Sequence, residues 1–206
     1  MDKTPEAAKT AQIVNSWHET ARKILMAHKL GTNIILSRGA GSEFPRLKKF
    51  RQRWALFADM PVEKAIGRLC NMKIFEKSKN LKRSADMILE NLSKFDCFYI
   101  ELKGPDTFAH RGDPVGKKQV IEKIDELFFK TLLSKLLQPG IDVEICVTAD
   151  HTTACTSKSH TSDPVPVLIY KPGIAGDNIN KYGEYHCAQG KLRFKSATQL
   201  FEVLKW

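Results

Sequence analysis

Long apolar runs are missing from this chain of 206 residues, and so are paired cysteines. No stretch approaches the roughly 20 apolar residues that a helix needs to cross a bilayer, so a membrane-spanning helix is not expected. The N-terminal "MDKTPEAAKTAQ" lacks the apolar core of a signal peptide. The five cysteines (Cys70, Cys97, Cys146, Cys155 and Cys187) are odd in number, scattered, and never spaced as Cys-x-x-Cys. That pattern argues against a disulfide framework and a structural zinc, and for a reducing, cytoplasmic setting. Aromatic residues do not interleave with Lys and Arg as they would in a stacking platform, which disfavours nucleic acid as a partner. Acidic residues are outnumbered, 23 against 33 basic, for a formal charge of +10. A basic surface serves an acidic small substrate or plain solubility as well as it serves nucleic acid. The densest basic run is 46–53. No internal repeat or low-complexity stretch interrupts the chain.

What is present is an alternation of two periodicities. Residues 6–28 place Ala7, Ile13, Val14, Trp17, Ala21, Ile24 and Leu25 at helical spacing, behind a Thr4-Pro5 start signal. "TNIILS" (32–37) is a short apolar run that predicts a strand before the glycine loop "RGAG", and 43–52 is a basic segment with helical potential. Further on, strands are predicted at 54–58, 72–75, 96–102, 142–149 and 164–171. Helices are predicted at 61–71, 81–95 and 114–137, the last stopped by Pro139-Gly140. Strands alternating with helices predict an α/β fold, a largely parallel sheet with helices on both faces.

This order places the chemistry. "KGPDTFAH" sets Asp106 and His110 just beyond the carboxyl end of one predicted strand, and "TADHTTACTSKSHTSDP" sets Asp150 and His151 beyond another, with His160 in the following loop. Ligands of open α/β sheets sit beyond the carboxyl ends of strands, so these fragments should meet at one rim. Carboxylate with imidazole suits borderline divalent ions such as Mn²⁺ or Zn²⁺. Asp106, His110 and His160 would make a three-ligand site with open positions, and Asp150-His151 half of a second. Two such ions clamp both oxygens of a phosphoryl transfer. Each fragment alone has a plainer reading as a cap or turn. The case rests on their conjunction. His18, His28 and His186 read as surface or helix-end residues. In "RGAG", Arg38 either lies in a tight turn or reaches a substrate phosphate or carboxylate.

Three segments, "KGPDTFAHRGDPVGKKQVIEKID", "TADHTTACTSKSHTSDPVPVLI" and "NIILSRGAG", resemble the archaeal-type cofactor-independent (2,3-bisphosphoglycerate-independent) phosphoglycerate mutases of the alkaline phosphatase superfamily. The resemblance runs from about residue 7 to the C-terminus. It implies an alkaline-phosphatase-like α/β core, incomplete here. It also implies interconversion of 3- and 2-phosphoglycerate in glycolysis, through a phosphoserine and two divalent ions (Mn, or Zn or Mg). Residue by residue, it implies Asp106, His110 and His160 on one ion and Asp150 and His151 on the other. Lys103 would face the transferred phosphoryl group as a catalytic residue, and Arg38 would bind substrate. Residues 1–53 would be a remnant of the inserted substrate-binding domain, and 54–206 the metal-binding core.

The departures set further expectations. In the family an N-terminal half supplies the serine nucleophile and an Asp ligand of the second ion. No segment here reads as a strand, Asp-Gly and a nucleophilic Ser or Thr loop. The stretch between the first helix and "NIILSRGAG" is shortened to "KLGT". "EKSKN" stands where a glycine-and-threonine loop is usual, and Ala154 where Pro is usual. One complete metal site is therefore expected, with the isolated chain nearly inert. The alternative is a diverged module that binds metal or a partner, or a related phosphoesterase. Self-association or a complementing N-terminal half is the expected partnership, besides a phosphorylated small molecule.

Overall fold

The computed structural model describes residues 4–29, 31–37, 43 and 46–204. The chain forms two compact units, Met1–Arg46 and Leu47–Trp206.

In the first unit, helix α1 (Pro5–Ala27) starts where the sequence signals it. Pro5 opens the first turn and the Thr4 hydroxyl accepts a hydrogen bond from the Ala7 N–H (3.2 Å). No residue of α1 is buried, and Ile13, Trp17, Ile24 and Met26 are exposed. Residues 32–37 are irregular rather than the predicted strand, with Leu36 84 % exposed. An apolar run becomes a strand only when another strand satisfies its backbone, and no described residue does so here. His18 instead ties α1 to this segment through Ser37 (Nε2 to Oγ, 3.0 Å). Arg38 and "RGAG" lie outside the described residues.

The second unit opens with 47–52 irregular, not helical. Arg46, Lys48, Lys49, Arg51 and Arg53 would stand three or four apart on a helix, where like charges repel. Then follow β1 (Trp54–Phe57), α2 (Pro61–Leu69), β2 (Lys73–Phe75), α3 (Leu81–Leu89) and β3 (Cys97–Ile100). The three strands form a parallel sheet in the order β2-β1-β3. All of β1 is buried, as a central parallel strand must be. Its side chains alternate between two helical layers. Gly67 of α2 lies close against Leu56 and Ile74. On the other face Ala55 and Phe57 join the core with Ala85 and Ile88 of α3 and with Phe128, Leu132 and Leu136. Helix α4 (Pro105–Arg111) is followed by one long helical rod that supplies the last three: α5 (Pro114–Ile124), a π turn (Asp125–Phe129) and α6 (Lys130–Leu136). The π turn carries Phe128 into the core, where it is 2 % exposed.

The remaining strands depart from the parallel pattern. Strand β4 (Ile145–Val147) pairs antiparallel with β7 (Leu168–Tyr170). Between them, the segment predicted as loop is a hairpin of β5 (Thr152–Ala154) and β6 (Ser159–Thr161). Short helices α7 (Glu184–Cys187) and α8 (Gln199–Val203) close the chain. All five cysteines are free. No described helix is long and apolar enough to cross a membrane.

Candidate metal centre

Helix α4 begins directly beyond the carboxyl end of β3, so Asp106 falls in its first turn and His110 one turn later on the same face. The hairpin supplies the rest. In its register Thr153 stands opposite His160, and His151 lies two residues before Thr153, on the same side of the strand. His151, Thr153 and His160 therefore share the face that meets α4. Gly112 permits this approach: it ends α4 at φ +72, and a Cβ there would meet the Cys155 carbonyl oxygen at 3.3 Å and Lys158 Cε at 2.6 Å.

Asp106, His110 and His160 come together as the sequence predicts. His110 Nε2 lies 3.3 Å from Asp106 Oδ1 and 3.2 Å from His160 Nε2, and His160 Nε2 lies 3.7 Å from the same Oδ1. Three ligands at about 2.0–2.1 Å from a tetrahedral ion are about 3.4 Å apart, and this triangle fits that spacing. His110 is oriented for the purpose. Its Nδ1 sits 2.8 Å from the Lys158 carbonyl oxygen, which only accepts, so Nδ1 carries the proton and Nε2 is left to bind. Burial pushes the Asp106 carboxyl up. The Thr153 hydroxyl, then His110, His151 and Lys103, more than offset this, so it titrates below the ordinary carboxylate range.

Asp150 and His151 lie at the same place. The His151 ring stacks on His160 with centroids 3.6 Å apart, and its Nε2 is 3.2 Å from Asp150 Oδ2. Among the described residues no third carboxylate or imidazole completes a group around this pair. Lys103 projects from the segment between β3 and α4, its Nζ 3.3 Å from Glu101. Burial lowers its pKa, but Glu101 and the nearby Asp106 and Asp150 outweigh that and hold it above the ordinary lysine value. It is a standing cation beside the cluster.

Sequence reasoning missed three supporting residues. Thr153, 4 % exposed, donates to Asp106 Oδ1 (2.7 Å). Glu101 holds Lys103 and accepts from the Asp59 N–H (3.3 Å). Lys77, in the "EKSKN" stretch, reaches Asp59 Oδ2 and the Glu101 carbonyl oxygen, both at 2.7 Å, and so ties the carboxyl ends of β1 and β3 together. The cue for Lys77 was the departure at "EKSKN" itself; Thr153 and Glu101 carried none.

A carboxylate and two imidazoles, that of His110 with its tautomer fixed, at the carboxyl rim of an α/β sheet are a donor set suited to a divalent ion. The metalloenzyme superfamily matches residues 42–203, and the chain belongs to it. Within that superfamily its relatives are 2,3-bisphosphoglycerate-independent phosphoglycerate mutases, and it is a member of their family. The enzyme of Methanopyrus kandleri is 34% identical, over 98% of this chain and 52% of its own length. That of Pyrobaculum aerophilum is 29% identical, over 93% and 50%. A solved cofactor-independent phosphoglycerate mutase from Thermoplasma acidophilum, 26% identical, matches with a TM-score of 0.56 over 94% of this chain and 50% of that one. The PH0037 protein from Pyrococcus horikoshii shares the fold, with a TM-score of 0.76 at 24% identity over 91% and 54%. The chain spans about half the length of the curated relatives it matches.

Proposed function

We propose that this chain is the metal-binding part of a phosphoglycerate mutase, acting on 3-phosphoglycerate and 2-phosphoglycerate. The observation that carries the reading is the triangle of Asp106 Oδ1, His110 Nε2 and His160 Nε2, with edges of 3.2–3.7 Å. These residues would hold one divalent ion, Mn²⁺ or Zn²⁺ by donor type. Asp150 and His151 would contribute to a second. A bound ion polarises a phosphoryl oxygen. Lys103, held cationic by Glu101, adds positive charge where phosphoryl oxygens carry negative charge. Residues 54–206 form the metal-binding core in this reading. Residues 1–53, with Arg38, belong to a substrate-binding part. The setting is the cytoplasm, as for glycolysis.

No segment of the sequence supplies a strand, Asp-Gly and serine loop, so the reaction needs a nucleophile from a complementing half. The test is an enolase-coupled assay with 3-phosphoglycerate and Mn²⁺. It is run on this chain alone and with the N-terminal half of the Methanopyrus kandleri enzyme. Turnover is expected only in the mixture, and lower by about a millionfold without it. Robust turnover by the chain alone, or none in the mixture, overturns the reading. In parallel, a calorimetric titration should give about one tight Mn²⁺ or Zn²⁺ per chain, lost in His160→Ala. Full affinity in that variant would remove His160 from the site.

A second reading is a non-catalytic module that binds metal or a partner chain. Lys77 favours it: where the resemblance implies a glycine-and-threonine loop, this chain fills the rim with a buried lysine side chain, 8 % exposed and paired to Asp59. Metal binding without any turnover in the mixture would support it.

A further inference from the structure

The Thr153 hydroxyl sits between the two half-sites with a single hydrogen to give. It lies 2.7 Å from Asp106 Oδ1 and 3.1 Å from His151 Nδ1. A carboxylate only accepts, so the hydrogen goes to Asp106. What faces His151 is then an oxygen lone pair, and a 3.1 Å contact to it is favourable only if Nδ1 carries a hydrogen. We propose that Thr153 is a positioning residue that fixes the proton of His151 on Nδ1 and thereby makes Nε2 its metal-binding atom. The same bond holds Oδ1 of Asp106 toward His110 and His160, so one hydroxyl orients a residue of each half-site.

The surroundings make Thr153 rigid enough for this. It is 4 % exposed, and its carbonyl oxygen accepts from Lys117 Nζ of α5 at 2.9 Å. A buried hydroxyl with two good partners has no cheap alternative rotamer. The His151 ring is also held by stacking on His160. The Nε2 so exposed lies 3.2 Å from Asp150 Oδ2, again the spacing of two ligands on one ion. Asp150 is close but makes no hydrogen bond to Nε2, so the Thr153 contact decides the tautomer; without it nothing holds the proton on Nδ1 and Nε2 is free to take it.

The metal consequence rests on the proposed metal site, whereas the proton placement does not, so the test separates them. The full chain is ¹⁵N-labelled, and long-range ¹H–¹⁵N histidine spectra are recorded without metal at a pH of about 8.5, above the ordinary histidine value. His151 is assigned with His151→Gln. Wild type should show a protonated, pyrrole-type Nδ1. In Thr153→Val, an isosteric change checked by near-ultraviolet circular dichroism, the proton should move to Nε2. Thr153→Ser should restore the wild-type pattern. Zinc affinity, measured by competition with a chromophoric chelator, should fall about tenfold or more in the valine variant and recover in the serine variant. An unprotonated Nδ1 in wild type overturns the proposal by itself, whatever the variants do. So does a valine variant with wild-type spectrum and affinity. A wild-type chain that binds no zinc sinks the metal reading while the metal-free spectra still decide the role of Thr153.

Discussion

Asp96 and Arg53 are fastened to each other at the rim opposite the metal cluster, where β1 and β3 begin. The carboxylate accepts from the Arg53 backbone N–H (2.8 Å) and from its guanidinium (2.6 Å), while the Asp96 and Cys97 N–H groups donate to the Arg53 carbonyl oxygen. The Arg53 side chain first, then its backbone N–H, hold the Asp96 carboxyl down to about 2. Its unfolded value is about 3.9. A depressed carboxylate stabilises the fold fully above the unfolded value and stops doing so as pH falls toward the folded one. The stability difference between wild type and Asp96→Asn, from urea unfolding, should therefore shrink between pH 5 and pH 2.5. An unchanged difference would mean that the pair is not coupled to folding. Pairings of this kind are not written in a sequence. Asp106, His110, Asp150, His151 and His160 are legible because their residue types are chemically selective. Thr153, Glu101 and Lys77 are ordinary residues whose meaning comes only from what they touch.

The helix that carries Asp106 and His110 has only seven residues, too short to be stable alone. It is set by α5, against which it packs through Gly116. The Asp113 side chain caps α5 by accepting from the Gly116 N–H (2.8 Å), and a Cβ at 116 would strike both this carboxylate and the Phe108 ring (2.6 Å to Cε1). Gly116→Ala gains helix propensity of about 1 kcal/mol against overpacking of typically 1–3 kcal/mol. The expected net loss of about 1 kcal/mol lowers Tm by about 3 °C. Because Phe108 lies between Asp106 and His110, metal affinity should drop as well. A variant with unchanged Tm and affinity would show that α4 is positioned by something else. Element type was readable where periodicity ran long, as in α1 and in the rod from Pro114 to Leu136, or where a strand was buried on both faces, as in β1. The β5–β6 hairpin was not readable. Three-residue strands of Thr, Ala, Ser and His give too few positions to reveal alternation, and their pairing depends on the turn that Lys158 makes at φ +53. "TNIILS" misled for the opposite reason: it has strand composition, but among the described residues no strand pairs with it.

At the scale of the molecule, the parallel sheet is the feature that should govern behaviour in solution. Parallel sheets occur almost only with their strands enclosed. Here β1 is enclosed, but β2 and β3 each have an outer edge to which no described strand is hydrogen-bonded. Tyr99 on β3 is 49 % exposed. Open edges present rows of unpaired N–H and C=O groups that template pairing with another chain. The chain spans about half the length of its curated relatives, and the complementing half proposed above would cover such edges. Two outcomes follow from mass action. Alone, the chain should self-associate, its weight-average mass in sedimentation equilibrium rising above the monomer value with concentration. With an equimolar N-terminal half of the Methanopyrus kandleri enzyme, a one-to-one complex should replace the self-associated species, and the thermal transition should move upward. A charged substitution on the exposed edge strand, Tyr99→Lys, should weaken self-association while leaving the enclosed β1 untouched. A chain that stays monomeric at high concentration, and ignores the added half, would show that the edges are closed by its own residues.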